Sequence, residues 1–461
     1  CGGGRLFEEA RHAMSAAEKA LVKAVVKIEP VATALMVEEE IESARAAVHD
    51  AKEAGVPQSE LNRVNGDLLH WEDQYKHVTG EAWAKPMALH DEDQAALVSL
   101  FMNTHGYAWR RAGGWLGRTA SARGRGAAAL AMHARTYAGV STEEEKETAR
   151  NPNPQCRVTG LRLADNNLVG PFPTRINSLK GLVTLDLSGN DLHGAIGFVG
   201  GMIALRYFTA ADASLSGALP PSLGQLRALL EIRLSGNSLD GAVPWTNLAN
   251  CKRLMHLDLA RNQLGGPIAP AMLELRYLQH VDLRENALTG ALPTELGRLA
   301  KLHVLDVSDN QLTGPLPESV GTLTALQQLC LSGNRLSGQL PDGLIGMTAL
   351  EVLYLHANQI SGPLPPDLAR LAALRYVNLS HNELTGPIPD AYCALEQLET
   401  LLLNNNHIRT PYPPALGRLS CLRDFYGSHG TFSCELGVPR RFRKREFEAR
   451  YGTGVAHMGL N

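Results

Sequence analysis

The chain has 461 residues, of which 44% are hydrophobic and 20% charged, and a formal net charge of −3, values that are ordinary for a soluble protein. The sequence contains no run of about 18 apolar residues, so no membrane span is predicted. It begins at Cys1 and shows no basic-then-apolar leader, which leaves a fragment or a processed form as one interpretation.

Residues 1–90 are predicted to be helical. Apolar residues recur at spacings of three and four, and Glu29-Pro30 and Gly55-Val56-Pro57 separate three segments of similar length. Three helices joined by short connections favour an antiparallel three-helix bundle or a coiled coil. The apolar seams of the first two segments consist largely of alanine, which supplies weak burial, so a longer bundle is an alternative.

Residues 91–157 precede a long series of repeats and are predicted to cap it, because the first repeat would otherwise expose its core to water. Within this segment, residues 117–135 are rich in arginine, glycine and alanine and are predicted to form a disordered loop. The two Arg-Gly steps at 123–126 are weak evidence for nucleic-acid binding. No nucleic-acid partner is therefore expected.

Residues 158–421 consist of eleven units with the pattern L-x-x-L-x-L-x-x-N-x-L-x-G-x-(I/L)-P. The first apolar positions are Val158, Leu182, Leu205, Leu229, Leu254, Leu278, Leu302, Leu326, Leu350, Leu374 and Leu398. Every step is 24 residues except Leu182 to Leu205, which is 23, and Leu229 to Leu254, which is 25. A period this regular predicts a solenoid.

The residue types within each unit explain the pattern. The L-x-L segment predicts a short strand whose alternate residues point to opposite faces, and the leucines must stack from coil to coil because one coil cannot bury an apolar face alone. The asparagine is predicted to bond the backbone where the chain leaves the sheet, forming a ladder along the stack. The third unit has Ala213 at this position, which predicts a locally looser stack.

Glycine and proline follow each strand at fixed positions, as in Leu312-Thr313-Gly314-Pro315-Leu316-Pro317, where they permit a bend and fix an extended segment. With this addition the unit resembles the plant-type leucine-rich repeat of receptor-like kinase ectodomains, polygalacturonase-inhibiting proteins and algal or protist proteins. The resemblance implies an α/β solenoid, a curved horseshoe or superhelix with a parallel sheet inside and short extended or 3₁₀ segments outside. Residues 93–101, Trp109 and Gly114-Trp115-Leu116 resemble the N-terminal cap of this family, without its two cysteines.

Residues 422–461 are predicted to form a C-terminal cap followed by a solvated basic tail, 440–445. Cys251 and Cys393 are interpreted as packing residues on the convex side, whereas Cys330 falls at a strand position predicted to be exposed. Cys421 and Cys434 leave a disulfide in the C-terminal cap open as a hypothesis. The absence of the two cysteines of the family's cap motif slightly favours a cytoplasmic location, with an extracellular protein or one membrane-attached through a missing segment as the alternative.

The sequence contains no P-loop, no H-E-x-x-H, no C-x-x-C pair, no G-x-S-x-G and no kinase signature set. The scattered histidines lack the spacing of metal ligands. We therefore expect no enzyme activity, no cofactor and no metal. A metal bridging the aspartates of neighbouring strands is disfavoured, because adjacent strands would present carboxylates without help from carbonyl groups.

Functional residues are expected on the concave face, where the third, fifth, seventh and eighth positions of each unit point away from the core. One predicted group is acidic, with side chains that neutralise it: Asp258, Asp282, Asp306, His256, His280, Arg261, Arg284 and Glu285. The aspartates should raise one another's pKa, although aspartate is also the default residue of this strand. The other predicted group is aromatic and polar: Tyr354, His356, Tyr376 and His381.

The function expected from these patterns is non-catalytic recognition of a protein or peptide by the concave face, in signalling or defence. Two alternatives remain open. The chain is a sensor fragment of a larger receptor-like kinase or leucine-rich repeat GTPase, or it is a structural scaffold that its helical region oligomerises.

Overall fold

The computed structural model describes residues 91–105, 108–110, 140–144, 156–409 and 412–427, all of which belong to a compact unit spanning Met87–Asn461. The three helices predicted within residues 1–90 lie outside the described residues, as do the predicted disordered loop, Cys434 and the basic tail. None of the helices in the described ranges has the length and apolar character needed to cross a membrane.

Helix α1 (Asp91–Asn103) packs on the first coil of the repeats. Leu97 and Leu100 are fully buried in the common core. The buried carboxylate of Asp93 accepts a 2.8 Å hydrogen bond from the backbone N–H of Val158, and its other oxygen lies 3.3 Å from Arg157 Nη1. The helix therefore covers the first leucines and also pairs an amide at the start of the solenoid.

Twenty-four short strands follow one another in the described residues. In chain order they are β1 Val140–Glu144, β2 Cys156–Arg162, β3 Val169–Pro171, β4 Thr184–Asp186, β5 Asp191–His193, β6 Tyr207–Thr209, β7 Ser216–Ala218, β8 Glu231–Arg233, β9 Ser238–Asp240, β10 His256–Asp258, β11 Gly265–Pro267, β12 His280–Asp282, β13 Ala287–Gly290, β14 Val304–Asp306, β15 Gln311–Gly314, β16 Gln328–Cys330, β17 Arg335–Gly338, β18 Val352–Tyr354, β19 Gln359–Pro363, β20 Tyr376–Asn378, β21 Glu383–Pro387, β22 Thr400–Leu402, β23 His407–Arg409 and β24 Asp424–Tyr426.

The main sheet has thirteen strands in the order β1-β2-β4-β6-β8-β10-β12-β14-β16-β18-β20-β22-β24. Strand β1 is antiparallel to β2, and the remaining neighbours are parallel and pair residues at the same position of successive units, as in Asp258 opposite Asp282. The middle residue of each three-residue strand points into the leucine core and the flanking residues point to the other side. We call that other side the concave face.

A second set of strands lies beyond the asparagine of each unit. It forms one seven-stranded sheet, β11-β13-β15-β17-β19-β21-β23, and two separate pairs, β3-β5 and β7-β9. The first gap follows the 23-residue unit that begins at Leu182, and the second follows the 25-residue unit that begins at Leu229; a lone bridge from Ala242 to Gly265 spans the second gap. The main sheet runs through both units without interruption.

Short helical segments complete each coil. Ten are 3₁₀ segments: Thr174–Ser178, Ile196–Gly201, Pro221–Gln225, Pro270–Glu274, Leu296–Arg298, Glu318–Thr322, Asp342–Gly346, Pro366–Arg370, Asp390–Ala394 and Pro414–Arg418. The 25-residue unit has instead a short α-helix, α2 (Trp245–Leu248), with both end residues buried. The short extended and 3₁₀ segments that the family resemblance implied are confirmed.

The asparagine ladder joins each coil to the one before it. Asn310 is typical: its Nδ2 donates to the carbonyls of Leu283 and Val307 at 3.0 and 3.1 Å, and its Oδ1 accepts from the N–H of Leu288 at 2.9 Å. Its Nδ2 also lies 3.0 Å from the carbonyl of Ser308, so one side chain pairs four backbone groups in two coils, which is why a buried asparagine is tolerated at this position.

At Ala213, where the asparagine is missing, a backbone carbonyl replaces one of the hydrogen bonds that the side chain would make. The N–H of Leu192, which would meet an asparagine Oδ1 in a regular unit, donates to the carbonyl oxygen of Ala213 at 2.9 Å. Ala213 itself donates to Asn237 Oδ1 at 3.1 Å. Ala213 lies in the unit that follows the 23-residue unit, and Leu192 lies in that shorter unit. The amide of Leu192 therefore remains hydrogen-bonded although the asparagine side chain is missing.

Candidate ligand-binding face

The main sheet brings the predicted residues together as two groups on the concave face. Strands β10, β12 and β14 carry the acidic group, and β18 and β20 carry Tyr354 and Tyr376. Strand β16, with Cys330, lies between the two groups. His381 follows β20 in a left-handed conformation with φ of 54°, is exposed, and lies 2.8 Å from Asn405 through its Nε2, so it is at the edge of the second group.

Exposure changes along the fifth-position column of the face. Arg162 and Arg233 are exposed and Asp258 is half-buried, whereas every fifth-position side chain from Asp282 to Leu402 is buried. Cys330, predicted to be exposed, is only 4% exposed. In-register side chains on strands about 4.8 Å away cover much of one another, which the single-unit pattern does not reveal.

The acidic group consists of three aspartates in register on neighbouring strands. Arg284 Nη1 lies 3.4 Å from Asp282 Oδ2 and 3.6 Å from Asp306 Oδ2, so one guanidinium faces two carboxylates. Arg261, a second candidate to neutralise the row, instead lies 3.3 Å from Asp212. Of these two arginines, Arg284 is therefore the one that neutralises the negative charge of the aspartate row.

The pKa of Asp282 is raised to about 7, first because the side chain is buried and then because the Asp306 carboxylate is close. Burial likewise raises the pKa of Asp306, opposed by hydrogen bonds from Ser308, whose N–H and Oγ–H donate to Asp306 Oδ1 at 3.0 and 2.5 Å. Like-charge proximity is thus the second cause for Asp282, after desolvation.

Two histidines flank the acidic row. His256 and His280 are in register with ring centroids 6.1 Å apart. Burial lowers the pKa of His280, and the neighbouring His256 lowers it further. Burial also raises the pKa of the Cys330 thiol far above its ordinary value, with Asp306 as the next contribution, so this cysteine is held as the neutral thiol.

The aromatic group is packed more tightly than the sequence suggested. Tyr354 is 3% exposed and meets His356 edge to face, with centroids 6.1 Å apart. Tyr376, 6% exposed, donates its hydroxyl to Glu399 Oε2 at 3.1 Å. The role of these side chains in binding stays a prediction, and the structure shows rings held in fixed orientations.

Sequence reasoning missed the side chains that hold Tyr376. Arg375 donates to Glu399 Oε1 from Nε at 2.8 Å and also from Nη2, and its Cζ lies 5.7 Å from the centre of the Tyr376 ring. Arg423 lies 3.9 Å from the same carboxylate. The sequence did contain a signal for these ion pairs. At the second position of successive units, acidic and basic residues alternate every 24 residues: Glu351, Arg375, Glu399 and Arg423.

No group of three or more His, Cys, Asp or Glu side chains suited to a metal ion occurs within the described residues. What the face offers chemically is a carboxylate row with one guanidinium, and a rigid aromatic group beside a charge ladder. Both are suited to hydrogen bonding and shape recognition.

Family models match three stretches of the repeats: a leucine-rich repeat region over 268–363, and single leucine-rich repeats over 373–395 and 397–419. The repeats are leucine-rich repeats of the plant type. No curated protein matches the sequence.

Solved structures extend the likeness beyond the stretches that the family models match. A TDR receptor structure is 29% identical, with a TM-score of 0.56 over 58% of this chain and 46% of that one. The leucine-rich repeat protein LIC12759 of Leptospira interrogans is 31% identical, with a TM-score of 0.50 over 58% of this chain and 66% of that one. A plant ice-binding protein is 25% identical, with a TM-score of 0.53 over 71% of this chain and 97% of that one. The chain therefore spans about half the length of the TDR receptor structure.

Proposed function

We propose that this chain is a non-catalytic recognition module, which binds a peptide or protein on the concave face of its leucine-rich repeats in signalling or defence. The observation that carries the proposal is the aromatic group, where Glu399 and Arg375 fix the ring of Tyr376 on the strand next to that of Tyr354. The leucines and asparagines account for stability, but the fold does not require this arrangement of aromatic and charged side chains.

A fixed tyrosine suits recognition for two reasons. Its ring is already held in one orientation and has few rotatable bonds, so little conformational entropy is lost on binding. Its charged neighbours also restrict which partner groups can approach. The likeness to a TDR receptor supports a receptor-like role for the repeats. A place as the sensor of a larger receptor-like kinase or GTPase is an extension of the proposal that the gene sequence on both sides of the chain would test.

The experiment is affinity capture from an extract of the source cells, comparing the wild-type chain with Tyr354→Ala/Tyr376→Ala. The captured partner should bind the double variant at least about tenfold more weakly, since interface anchors of this type contribute about 2 kcal/mol or more. The matched control is Tyr277→Ala, which removes a tyrosine that is 51% exposed and lies outside the strands. The control should retain wild-type affinity.

Both target rings are buried, so folding is measured in the same samples. Tyr376→Phe keeps the ring and removes the hydroxyl that donates to Glu399, and it should weaken binding less than the alanine variants do. Unchanged affinity in a double variant whose circular dichroism matches the wild type would show that the aromatic group is not the site.

A second candidate function is favoured by one observation on the seven-stranded sheet. The equivalent position of five successive strands carries a hydroxyl: Thr289, Thr313, Ser337, Ser361 and Thr385. Three of the five, the threonines, are exposed. The plant ice-binding protein is matched over 97% of its chain, and evenly spaced hydroxyls both donate to and accept from ordered water.

Ice recrystallisation separates this candidate from peptide recognition. An ice-binding chain should suppress crystal growth, and Thr289→Val/Thr313→Val/Thr385→Val should lose that effect while the concave-face double variant keeps it. Growth of ice equal to that with a control protein would exclude this candidate.

A further inference from the structure

The concave face contains two buried carboxylates that share one cation. Asp282 and Asp306 are in register on neighbouring strands, and their side chains are only 11% and 10% exposed. Arg284 Nη1 lies within 3.6 Å of an oxygen of each. Two carboxylates in this position cannot each have a guanidinium of their own.

Other charged groups around the pair do not balance the charge. Asp258, in register with Asp282, adds a third carboxylate, and Arg233, in register with Asp258, is 51% exposed and lies 2.7 Å from Glu231. The remaining polar and titratable groups that face the pair from β10, β12, β14 and β16 are His256, His280, Ser308, Asp309, Gln328 and Cys330. Burial disfavours the charged form of His280, so it does not supply the missing cation.

The local hydrogen bonds distinguish the two carboxylates. Asp306 Oδ1 accepts from both the N–H and the Oγ–H of Ser308, whereas Asp282 Oδ1 accepts only from the N–H of Arg284, at 3.2 Å. More donors favour the ionised form. A proton shared by the pair therefore resides mainly on Asp282, in agreement with its pKa, which burial and Asp306 raise to about 7.

We propose that Asp282 and Asp306, two buried carboxylates facing one guanidinium, hold one proton between them at a pH where two isolated aspartates would both be ionised, which makes this pair a pH-sensitive switch of charge on the concave face. Below the transition Arg284 and one carboxylate neutralise each other. Above it a second negative charge remains beside Asp258. The consequence for a bound partner rests on the proposed function, but the proton release itself does not.

The effect on stability has a definite sign. An unfolded aspartate has a pKa of about 3.9. Between that value and neutral pH the folded pair therefore holds a proton that the unfolded chain does not. Stability must fall as pH rises through this range, because the folded state binds more protons than the unfolded state.

The first test is thermal unfolding of the full chain between pH 5 and 8. We expect the wild-type unfolding temperature to fall by about 3 °C or more across this range relative to Asp306→Asn, which removes one charge and keeps an acceptor for Ser308. Asp282→Asn should behave in the same way. The matched control is Asp186→Asn: Asp186 occupies the same strand position and accepts from the N–H of Ser188 at 3.2 Å, but its in-register neighbours are Arg162 and Thr209. The control should keep the wild-type pH dependence.

The second test observes the proton directly. Carbon-13 NMR of the full chain labelled at aspartate carboxyls should show a resonance that titrates near neutral pH, is absent in Asp282→Asn and moves to lower pH in Asp306→Asn. This readout stands if either variant folds. The proposal is overturned if every such resonance titrates below pH 5, or if the wild type and both variants share one stability profile. Either result leaves partner capture through Tyr354 and Tyr376 untouched, so the two proposals fail separately.

Discussion

The repeats from Leu254 onward and the repeats before it build the same main sheet, but only the later ones build a continuous second sheet. Every unit from Leu254 to Leu398 advances by 24 residues, and strands β11 to β23 pair without a break. In the earlier part, one unit of 23 and one of 25 residues each coincide with a gap in the second sheet.

The difference shows where a solenoid of this type absorbs changes in length. The strand of the main sheet lies next to two core leucines whose spacing does not change, so its register survives. In the units of 23 and 25 residues the spacing from the asparagine to the next apolar residue after the glycine is the regular one, as in Asn190 to Ile196 and Asn237 to Val243, so the missing or added residue falls in the following helical segment. The pairing of the second sheet is interrupted between each of these units and the next. The same region contains Ala213, so the ladder and the second sheet are both irregular there.

Asn310→Ala should produce the largest effect, because it removes four hydrogen bonds in the regular part and takes the Asn310 acceptor from the buried N–H of Leu288. The carbonyls of Leu283 and Val307 keep Asn286 and Asn334 as donors. We expect a loss of about 3 kcal/mol in unfolding free energy. Urea denaturation followed by circular dichroism would measure it. A loss below about 1 kcal/mol would mean that the backbone can replace an asparagine in a regular unit as it does at Ala213.

Gly338→Ala should have an intermediate effect. Measuring it beside Gly194→Ala compares the regular repeats from Leu254 onward with the irregular repeats before it. Gly338 has φ of 79° and lies against Pro315 of the previous coil, whereas Gly194, in the irregular part, has φ of 97° and no atom of another residue near its missing Cβ. Alanine should lower the unfolding free energy by about 1–2 kcal/mol at 338 and by about 1 kcal/mol at 194. Both substitutions strain a backbone with positive φ, but only the one at 338 also presses the new Cβ against Pro315. Equal losses in urea would show that contact between coils does not matter at this turn.

Ala213→Asn should have the smallest effect. Restoring the consensus residue offers an acceptor to the N–H of Leu192, which already donates to the Ala213 carbonyl. We expect a change of less than about 0.5 kcal/mol in unfolding free energy, because no unpaired amide is rescued. A gain above 1 kcal/mol would show instead that the missing side chain is a real defect of the stack.

Some features of the candidate site also follow from the repeat period, and others do not. The register of Asp258, Asp282 and Asp306 follows from the 24-residue step, and so does the proximity of Tyr354 to the strand of Tyr376. The step does not reveal that Arg284 serves two carboxylates while Arg261 turns to Asp212, because a long side chain can reach either of two neighbouring coils. Exposure could not be predicted either, since it depends on the side chains of adjacent strands.

The sequence by itself determined the solenoid, the position of each strand and the residues that share the concave face. The reason is that the leucine core is periodic, and a period along the chain becomes a translation in space. Tertiary structure alone decided that Asp282 and Asp306 are buried with one guanidinium, that Glu399 holds Tyr376, and that a backbone carbonyl replaces the missing asparagine. These features depend on which neighbouring groups compete for each charge or hydrogen bond, and that competition is settled only when the coils are stacked.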